Sequence, residues 1–314
     1  MHRTPLLKLP WLGPYGRAAC VQAKFETRQI MGSFKSRGAI VRLSAKDVAQ
    51  YQGVVAASAG NHGLGVAWAS RVLNIPATIV VPQNVAENKR MRIDELASLV
   101  LAPYPGYDET ERYARALAKS GRSLFVSAFD DPLVAAANGA TLAREILEEM
   151  PRCDAIICPI GGGGLASGIA RYLEFAGHPA KLIAVQSKQT NAMSESLRLG
   201  RALLSQAPKP TLAEGLEGGV SPRTFELVRK RVEQLIEVSE DSIGRAMALL
   251  FQEMGEVVEG SAAVCVAAIL EQRLPDSFEA PCLVLTGRNV DARVLDAQLA
   301  LHLGPAKPKS EGGA

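Results

Sequence analysis

A lysine, an asparagine and a run of four glycines are the features of this sequence whose residue types and surroundings could do chemistry. The lysine is Lys35, in residues 32–39 (GSFKSRGA), where a loop enters a predicted helix. Its amine can attack a carbonyl carbon only where burial or a neighbouring cation lowers its pKa, and Phe34 offers an apolar wall. A lysine in such a loop is usually solvated, so its role depends on the other two features.

The glycine run predicts a site for a phosphate group. It follows the apolar residues 155–160 and consists of Gly161, Gly162, Gly163 and Gly164, with Leu165 next. Because glycine has no Cβ, the backbone can turn several N–H groups toward one point, and the start of the next helix adds free donors and partial positive charge. The loose fingerprint of a dinucleotide site also fits. That site needs an acidic residue after the next strand, however, and residues 186–188 (QSK) contain none.

Two more loops follow predicted buried strands. In residues 58–63 (SAGNHG), hydroxyl and N–H groups could hold a carboxylate, and Asn61 could offer its amide to a ring oxygen. The same residues also fit a simple turn. His62 is either a helix-start residue or a proton carrier. In residues 286–291 (TGRNVD), a strand ends in the hydroxyl of Thr286, which is also consistent with a plain strand exit.

The length and composition predict a two-lobed cytoplasmic enzyme. A chain of 314 residues exceeds the usual single domain, and 47% hydrophobic residues are enough for a large core. The net charge of +3 gives no reason to expect nucleic acid or a membrane surface as a partner, and no apolar run is long enough to span a bilayer. An odd number of cysteines in apolar surroundings is typical of reduced, buried thiols. They are Cys20, Cys153, Cys158, Cys265 and Cys282.

Short apolar strands alternate with helices along the chain, which predicts an α/β fold with parallel-rich sheets flanked by helices. Strands are predicted at 53–57, 77–81, 98–101, 123–127, 155–160, 181–186 and 282–285, and helices at 63–73, 88–96, 107–119, 165–176, 243–253 and 262–270. We assign a small lobe to residues 53–130 and a large lobe to residues 1–52 and 131–314. Residues 304–314 are predicted to be a frayed tail, because they are rich in Pro, Lys and Gly.

Taken together and in this order, the segments resemble the fold-type II pyridoxal-phosphate (PLP) enzymes, which share a two-lobed, tryptophan synthase β-like fold. More narrowly, they resemble the serine/threonine dehydratase and serine racemase branch. The resemblance covers nearly the whole chain. It rests on RTPL at 3–6, KFE at 24–26, GSFKSRGA at 32–39, SAGNHGLGVA at 58–67, PIGGGGLASG at 159–168, LAEG at 212–215 and LTGRNVD at 285–291.

The resemblance implies a role for each matching residue. Lys35 would bind PLP covalently and serve as the catalytic base, and Phe34 would pack on the pyridine ring. Asn61 would bind the phenolic oxygen of the ring, and Thr286 would face its nitrogen. The phosphate would be held by Gly161, Gly162, Gly163, Gly164 and Leu165. The substrate carboxylate would be gripped by the loop that contains Ser58, Ala59, Gly60 and His62. The small lobe, 53–130, would be mobile.

The implied reaction is that of a dehydratase (ammonia-lyase). It would eliminate the β-hydroxyl of a small hydroxy amino acid, such as threonine or serine, to give a 2-oxo acid and ammonia. The racemase branch has a serine as second acid/base immediately before the Gly-Asn-His, and this chain has Ala59 there, which favours elimination. A serine or aspartate racemase and a β-replacement transferase of the cysteine synthase type stay open as alternatives.

Other implications of the resemblance concern the substrate, a metal and assembly. Met31 and Arg288 replace the threonine and glycine that are commoner in the family, so the identity of the hydroxy amino acid stays open. The divalent-cation site of the family, for Mg²⁺, maps only loosely onto Glu214, which also fits a solvated acid in a loop. Members of the family are commonly dimers, so the resemblance implies a homodimer.

Overall fold

The computed structural model of the protein describes residues 1–15, 21–207 and 209–304. Cys20 and, except for Gly304, the predicted tail lie outside these ranges. The other four cysteines are buried free thiols: Cys153, Cys158, Cys265 and Cys282. Within the same ranges, no helix is both long enough and apolar enough to cross a membrane.

The described strands form two separate sheets. In chain order they are β1 (Leu6–Lys8), β2 (Gln22–Phe25), β3 (Val54–Ala57), β4 (Ala77–Val81), β5 (Ser98–Leu101), β6 (Leu124–Phe125), β7 (Ala155–Pro159), β8 (Lys181–Ser187), β9 (Gln234–Val238) and β10 (Pro281–Leu285). The larger sheet has the order β1-β2-β10-β7-β8-β9, and the smaller sheet has the order β5-β4-β3-β6. Neighbouring strands are parallel except for β1 and β2. The predicted α/β fold with parallel-rich sheets is therefore confirmed.

Helices connect the strands and cover the sheets. They are α1 (Lys35–Leu43), α2 (Asn61–Leu73), α3 (Glu87–Asp94), α4 (Tyr107–Ser120), α5 (Pro132–Glu149), α6 (Gly164–Ala176), α7 (Ala192–Leu199), α8 (Pro222–Arg231), α9 (Glu240–Met254), α10 (Gly260–Leu270) and α11 (Ala292–Leu303). Short 3-10 turns lie at Pro10–Tyr15, Glu26–Arg28, Ile30–Gly32, Lys46–Gln50 and Glu214–Leu216.

Apolar cores cover both faces of the larger sheet. Strand β7 is buried throughout, as expected of a parallel strand with helices on both sides. On one face, α9 and α10 pack against alternate strand residues such as Ile157. On the other face, α5, α6 and α8 pack against the residues between them, such as Ile156. Helix α10 is apolar around almost its whole circumference, and for that reason it is buried along nearly its full length.

The core of the smaller sheet extends beyond the predicted small lobe. It joins Ile79 of β4 to Ala39 and Leu43 of α1 and to Val134 of α5. Helix α1, which begins at Lys35, therefore packs with the smaller sheet although its sequence position was assigned to the large lobe. The lobe boundaries at 53 and 130 stay a prediction.

Candidate active site

The lysine loop and the loop after β10 are joined by backbone hydrogen bonds. The N–H of Phe34 donates to the carbonyl of Thr286 at 3.1 Å, and the N–H of Arg288 donates to the carbonyl of Gly32 at 3.0 Å. Thr286 and Phe34 are both nearly fully buried. Two segments about 250 positions apart in the chain thus meet at the start of α1, where Lys35 lies.

The amine of Lys35 lies in a half-buried site at the start of α1. Its Nζ donates to the carbonyl of Ala128 at 3.1 Å and lies 5.0 Å from the centre of the Phe34 ring. Burial lowers the pKa of the Lys35 amine to about 8, although the negative charge of Glu259 opposes this. A substantial fraction of the amine is therefore neutral near physiological pH and able to act as a nucleophile or base.

The glycine run lies next to the segment that the lysine contacts. A Cβ on Gly162 would come within 2.6 Å of the Phe129 ring, and one on Gly164 within 2.8 Å of the Phe129 Cα. Gly163 has a φ of +88°, a conformation that side chains rarely adopt. Because Phe129 follows Ala128, one dipeptide touches both the Lys35 amine and the glycine run. Leu165, in the first turn of α6, is buried beside them.

The side-chain amide of Asn61 is held from both sides at the start of α2. Its Nδ2 donates to both carboxylate oxygens of Glu259, at 2.8 and 2.9 Å, and its Oδ1 accepts from Asn289 Nδ2 at 2.6 Å. The same Asn289 nitrogen donates to the carbonyl of Met31 at 2.8 Å. Met31 has a positive φ of 59° and precedes Gly32, so this turn of the lysine loop is locally strained.

The loop at 58–62 presents a backbone surface more than reactive side chains. The hydroxyl of Ser58 accepts from the N–H of Gly60 at 3.1 Å, and Ala59 is half-buried. The imidazole of His62 is buried, with Nε2 at 2.9 Å from the carbonyl of Val126. Burial, together with the charge of Lys35, lowers the pKa of His62 to about 3. His62 is therefore neutral at physiological pH.

The residue predicted for a divalent cation lies apart from this cluster. The Glu214 side chain is 61% exposed and forms an ion pair of 2.5 Å with Lys89 of α3. Nowhere in the described parts of the chain do three or more His, Cys, Asp or Glu side chains form a group that could hold a metal ion. The structure gives the cation assignment no support.

Two residues of this cluster were not among the predicted site residues. Glu259 lies at the N-terminal end of α10, and Asn289 lies in the loop after β10. The sequence carried one signal for Glu259, since an acid directly before a long apolar run is typical of a helix start. Neither position has a spacing that indicates contact with Asn61, because that contact depends on how the two sheets are arranged.

The residues of this site fit PLP. Gly162 and Gly164 crowd against Phe129, and Gly161 against Leu216, so closely that side chains there would collide, which leaves backbone N–H groups as the available donors for a phosphate. The amine that PLP requires is neutral in part, and the Asn61 amide and the buried Thr286 are both tied to the lysine loop by hydrogen bonds, the former through Asn289. The fold and the site together are those of an α/β protein in which a partly neutral lysine and a glycine run that could hold an anion contact the same dipeptide.

Comparisons with known proteins agree with this class. Residues 1–287 match the family model described as "Pyridoxal-phosphate dependent enzyme". The chain therefore belongs to the family of pyridoxal-phosphate dependent enzymes, and the resemblance inferred from the motifs is confirmed.

Three relatives place the chain within that family. It is 38% identical over 280 residues to an L-threonine ammonia-lyase from Thermotoga maritima, covering 88% of this chain and 69% of the relative. It is 35% identical over 296 residues to a catabolic L-threonine dehydratase from Staphylococcus aureus, covering 94% and 83%. A serine racemase structure from Dictyostelium discoideum superposes with a TM-score of 0.84 at 29% identity, covering 92% of this chain and 94% of the racemase.

Proposed function

We propose that this protein is a PLP-dependent ammonia-lyase (dehydratase), which converts a small β-hydroxy amino acid such as threonine or serine into a 2-oxo acid and ammonia. The observation that carries the proposal is the partly neutral Lys35 amine, held at Ala128 beside the dipeptide that packs on the glycine run. The ammonia-lyase and dehydratase relatives support the same reaction class.

The residues of the site divide between cofactor and substrate in this proposal. Lys35 binds PLP covalently, and Phe34 packs on its pyridine ring. Thr286 faces the ring nitrogen, and Asn61 donates to the phenolic oxygen. The phosphate contacts are assigned to Gly161, Gly162, Gly163, Gly164 and Leu165. The substrate carboxylate is assigned to the loop of Ser58, Ala59, Gly60 and His62, whose N–H groups stand at the N-terminal end of α2.

The chain then supplies orientation and a base. Bound PLP provides an electron sink that makes the α-hydrogen of an amino acid acidic. When it is not bound to the cofactor, the Nζ of Lys35 would take the α-proton, because its lowered pKa leaves part of the amine neutral. The start of α2 holds the substrate carboxylate, so the α-hydrogen stays within reach of the Lys35 amine. The α-proton and the β-hydroxyl leave together as water, and one water is taken up when the released enamine is hydrolysed to the 2-oxo acid and ammonia.

The loop at 58–62 favours elimination over racemisation. A racemase needs a second proton carrier on the face of the substrate opposite the lysine. Ala59 has no proton to give, and His62 is neutral with its Nε2 engaged by Val126. A racemase is the second candidate because the superposed relative has that activity by name.

A substrate panel tests the function directly. Serine, threonine and 3-hydroxyaspartate are supplied to the PLP-loaded enzyme, and the 2-oxo acid, the D-enantiomer and sulfide-dependent cysteine are each measured. We expect oxo acid to exceed the other two products. Lys35→Ala should abolish it, whereas Lys46→Ala, at an exposed lysine of the next turn, should not. Predominant D-amino acid or cysteine would instead favour the racemase or the β-replacement transferase.

We further propose that the protein is a cytoplasmic homodimer whose small lobe, residues 53–130, moves relative to the large lobe at 1–52 and 131–314. The resemblance to the family supports these proposals. Light scattering of the purified enzyme measures the mass, and a monomer would contradict the dimer. Hydrogen exchange with and without substrate measures the motion, and equal protection of 53–130 in both states would contradict it.

A further inference from the structure

Glu259 is a carboxylate that accepts hydrogen bonds from Asn61, one of the predicted cofactor residues, and the proposed reaction does not use it. Its side chain lies between Asn61, Ser261 and Gly287. Ser261 Oγ donates to its Oε1 at 2.8 Å, and Asn61 Nδ2 contacts both of its oxygens. A Cβ on Gly287 would lie 2.9 Å from Oε1, so a glycine is needed for this close arrangement.

The hydrogen bonds on either side of Asn61 fix which way its amide points. The carboxylate accepts and therefore requires the Asn61 nitrogen, while Asn289 Nδ2 donates and therefore requires the Asn61 oxygen. A flipped amide would place an oxygen against the carboxylate and two NH₂ groups against each other. Nδ2 carries two hydrogens, so an amide in this orientation can donate to the carboxylate and to one further acceptor.

The charge of Glu259 also acts on the lysine. Burial raises the pKa of the Glu259 carboxyl, while hydrogen bonds from Asn61 and Ser261 and the charge of Lys35 oppose the rise. In return, the carboxylate holds the pKa of Lys35 higher than burial alone would leave it. The carboxylate also stands at the N-terminal end of α10, where negative charge is favoured.

We propose that Glu259 is a positioning residue of the cofactor site, which orients the Asn61 amide for the phenolic oxygen of PLP and supplies the negative charge that faces the Lys35 amine. The inference rests on the site proposed above. It assigns Glu259 no contact with the substrate and no step in the elimination.

Three variants separate the two effects of Glu259. Glu259→Gln removes the charge, and Glu259→Asp keeps the charge but shortens the side chain away from Asn61. Glu256→Gln is the matched control, because Glu256 is a buried glutamate of the same segment whose partners are Thr27 and Arg28. PLP binding is measured by absorbance titration of the cofactor-free full chain. Titration of Lys35 is followed by its rate of labelling with trinitrobenzenesulfonate, read by mass spectrometry.

In Glu259→Gln we expect the Lys35 amine to label about threefold faster at pH 7, because the loss of the opposing charge lets its pKa fall further. In Glu259→Asp we expect PLP to bind about tenfold more weakly, with labelling of Lys35 unchanged. Glu256→Gln should match the wild type in both measurements. The inference is overturned if Glu259→Gln labels like Glu256→Gln, or if Glu259→Asp binds PLP like the wild type. A wild-type protein that fails to bind PLP would instead refute the site itself.

Discussion

We expect that removing the charge of Arg37 destabilises the fold strongly, because its guanidinium is buried and pairs with two carboxylates. Its side chain is 1% exposed. Its guanidinium forms a pair of hydrogen bonds with Glu26 of the adjoining turn, both 2.8 Å, and a second pair with Glu145 of α5, at 2.6 and 2.9 Å. Burial works against its charge, but the two carboxylates more than offset this and raise the pKa of Arg37.

Replacing Arg37 with methionine keeps much of the volume and removes the charge. Glu26 is fully buried and would be left with the hydroxyl of Thr4 as its remaining side-chain donor. Removing one partner of a buried ion pair costs about 3–5 kcal/mol, because the other charge stays uncompensated. We expect Arg37→Met to lower the free energy of unfolding by about that amount in urea titrations followed by tryptophan fluorescence.

The control is Arg144→Met on α5, which removes an exposed arginine paired with Glu148 one helical turn away. An exposed pair of this kind contributes about 0.3–0.5 kcal/mol.

The pH dependence of stability gives a second check. Burial alone would raise the pKa of the Glu145 carboxyl, but hydrogen bonds from Arg37 and Lys24 lower it. The stability that this pairing provides is present above the unfolded-state pKa and is lost as the pH falls through the folded-state pKa. A loss below about 1 kcal/mol for Arg37→Met at neutral pH would refute the reasoning.

Three more predictions concern the site and its surroundings. Gly162→Ala should weaken PLP binding about tenfold in an absorbance titration, because its Cβ would lie 2.6 Å from the Phe129 ring. Gly13→Ala, where a Cβ meets no atom within 4 Å, should not. The rate of PLP uptake by the cofactor-free chain should rise with pH through a midpoint of about 8, set by the Lys35 amine, and a flat profile would contradict that pKa. Glu214→Lys should destabilise the fold by about 0.2–1 kcal/mol, and Lys89→Glu on the same chain should restore the loss. Glu214→Gln should leave any response of activity to magnesium unchanged.

The strands that could be predicted from the sequence are those with continuous apolar runs. Strands β3, β4, β7, β8 and β10 fall where the pattern predicts them, because a parallel strand covered on both faces needs apolar residues throughout. The less buried β5 and β6 also lie within their predicted ranges. Strands β1, β2 and β9 were not predicted. In β2 the obstacle is Lys24, a charged residue that is fully buried because Glu145, Glu149 and a backbone carbonyl surround its amine. A pattern of residue types does not contain such partners.

The helices show a similar division. Helix α5 was not assigned from its pattern, although Asp131 and Pro132 form an ordinary helix start in which the Asp131 carboxylate accepts from two backbone N–H groups. That helix positions the site indirectly. Its Asn138 accepts from the N–H of Gly38, one turn after Lys35, and its Glu145 meets Arg37. The helix-start signal is local and can be found in the sequence, whereas the contacts that α5 makes are tertiary.

The site itself was predictable as a set of segments but not as a network. The lysine loop, the glycine run and the loop after β10 each have a distinctive sequence. In the structure, Ala128 and Phe129 link the lysine to the glycine run, and backbone hydrogen bonds link the lysine loop to the loop after β10. The role of Glu259 depends on how α10 meets α2, which no spacing encodes. The family resemblance therefore indicates which segments form the site, and the structure is needed to show which side chains contact each other.

The charges around Lys35 show why both kinds of reasoning are needed. The sequence places a second cation, Arg37, two positions after the lysine, and a nearby cation ordinarily lowers a lysine pKa. In the structure, burial and the charge of Glu259 shift the pKa of Lys35, while the Arg37 guanidinium is paired with Glu26 and Glu145. Stability and reactivity are thus assigned to different carboxylates. Arg37→Met should lower the free energy of unfolding and leave the labelling of Lys35 unchanged, whereas Glu259→Gln should change that labelling. If Arg37→Met shifts the titration of Lys35 as much as Glu259→Gln does, the two sets of charges are not independent and this separation is wrong.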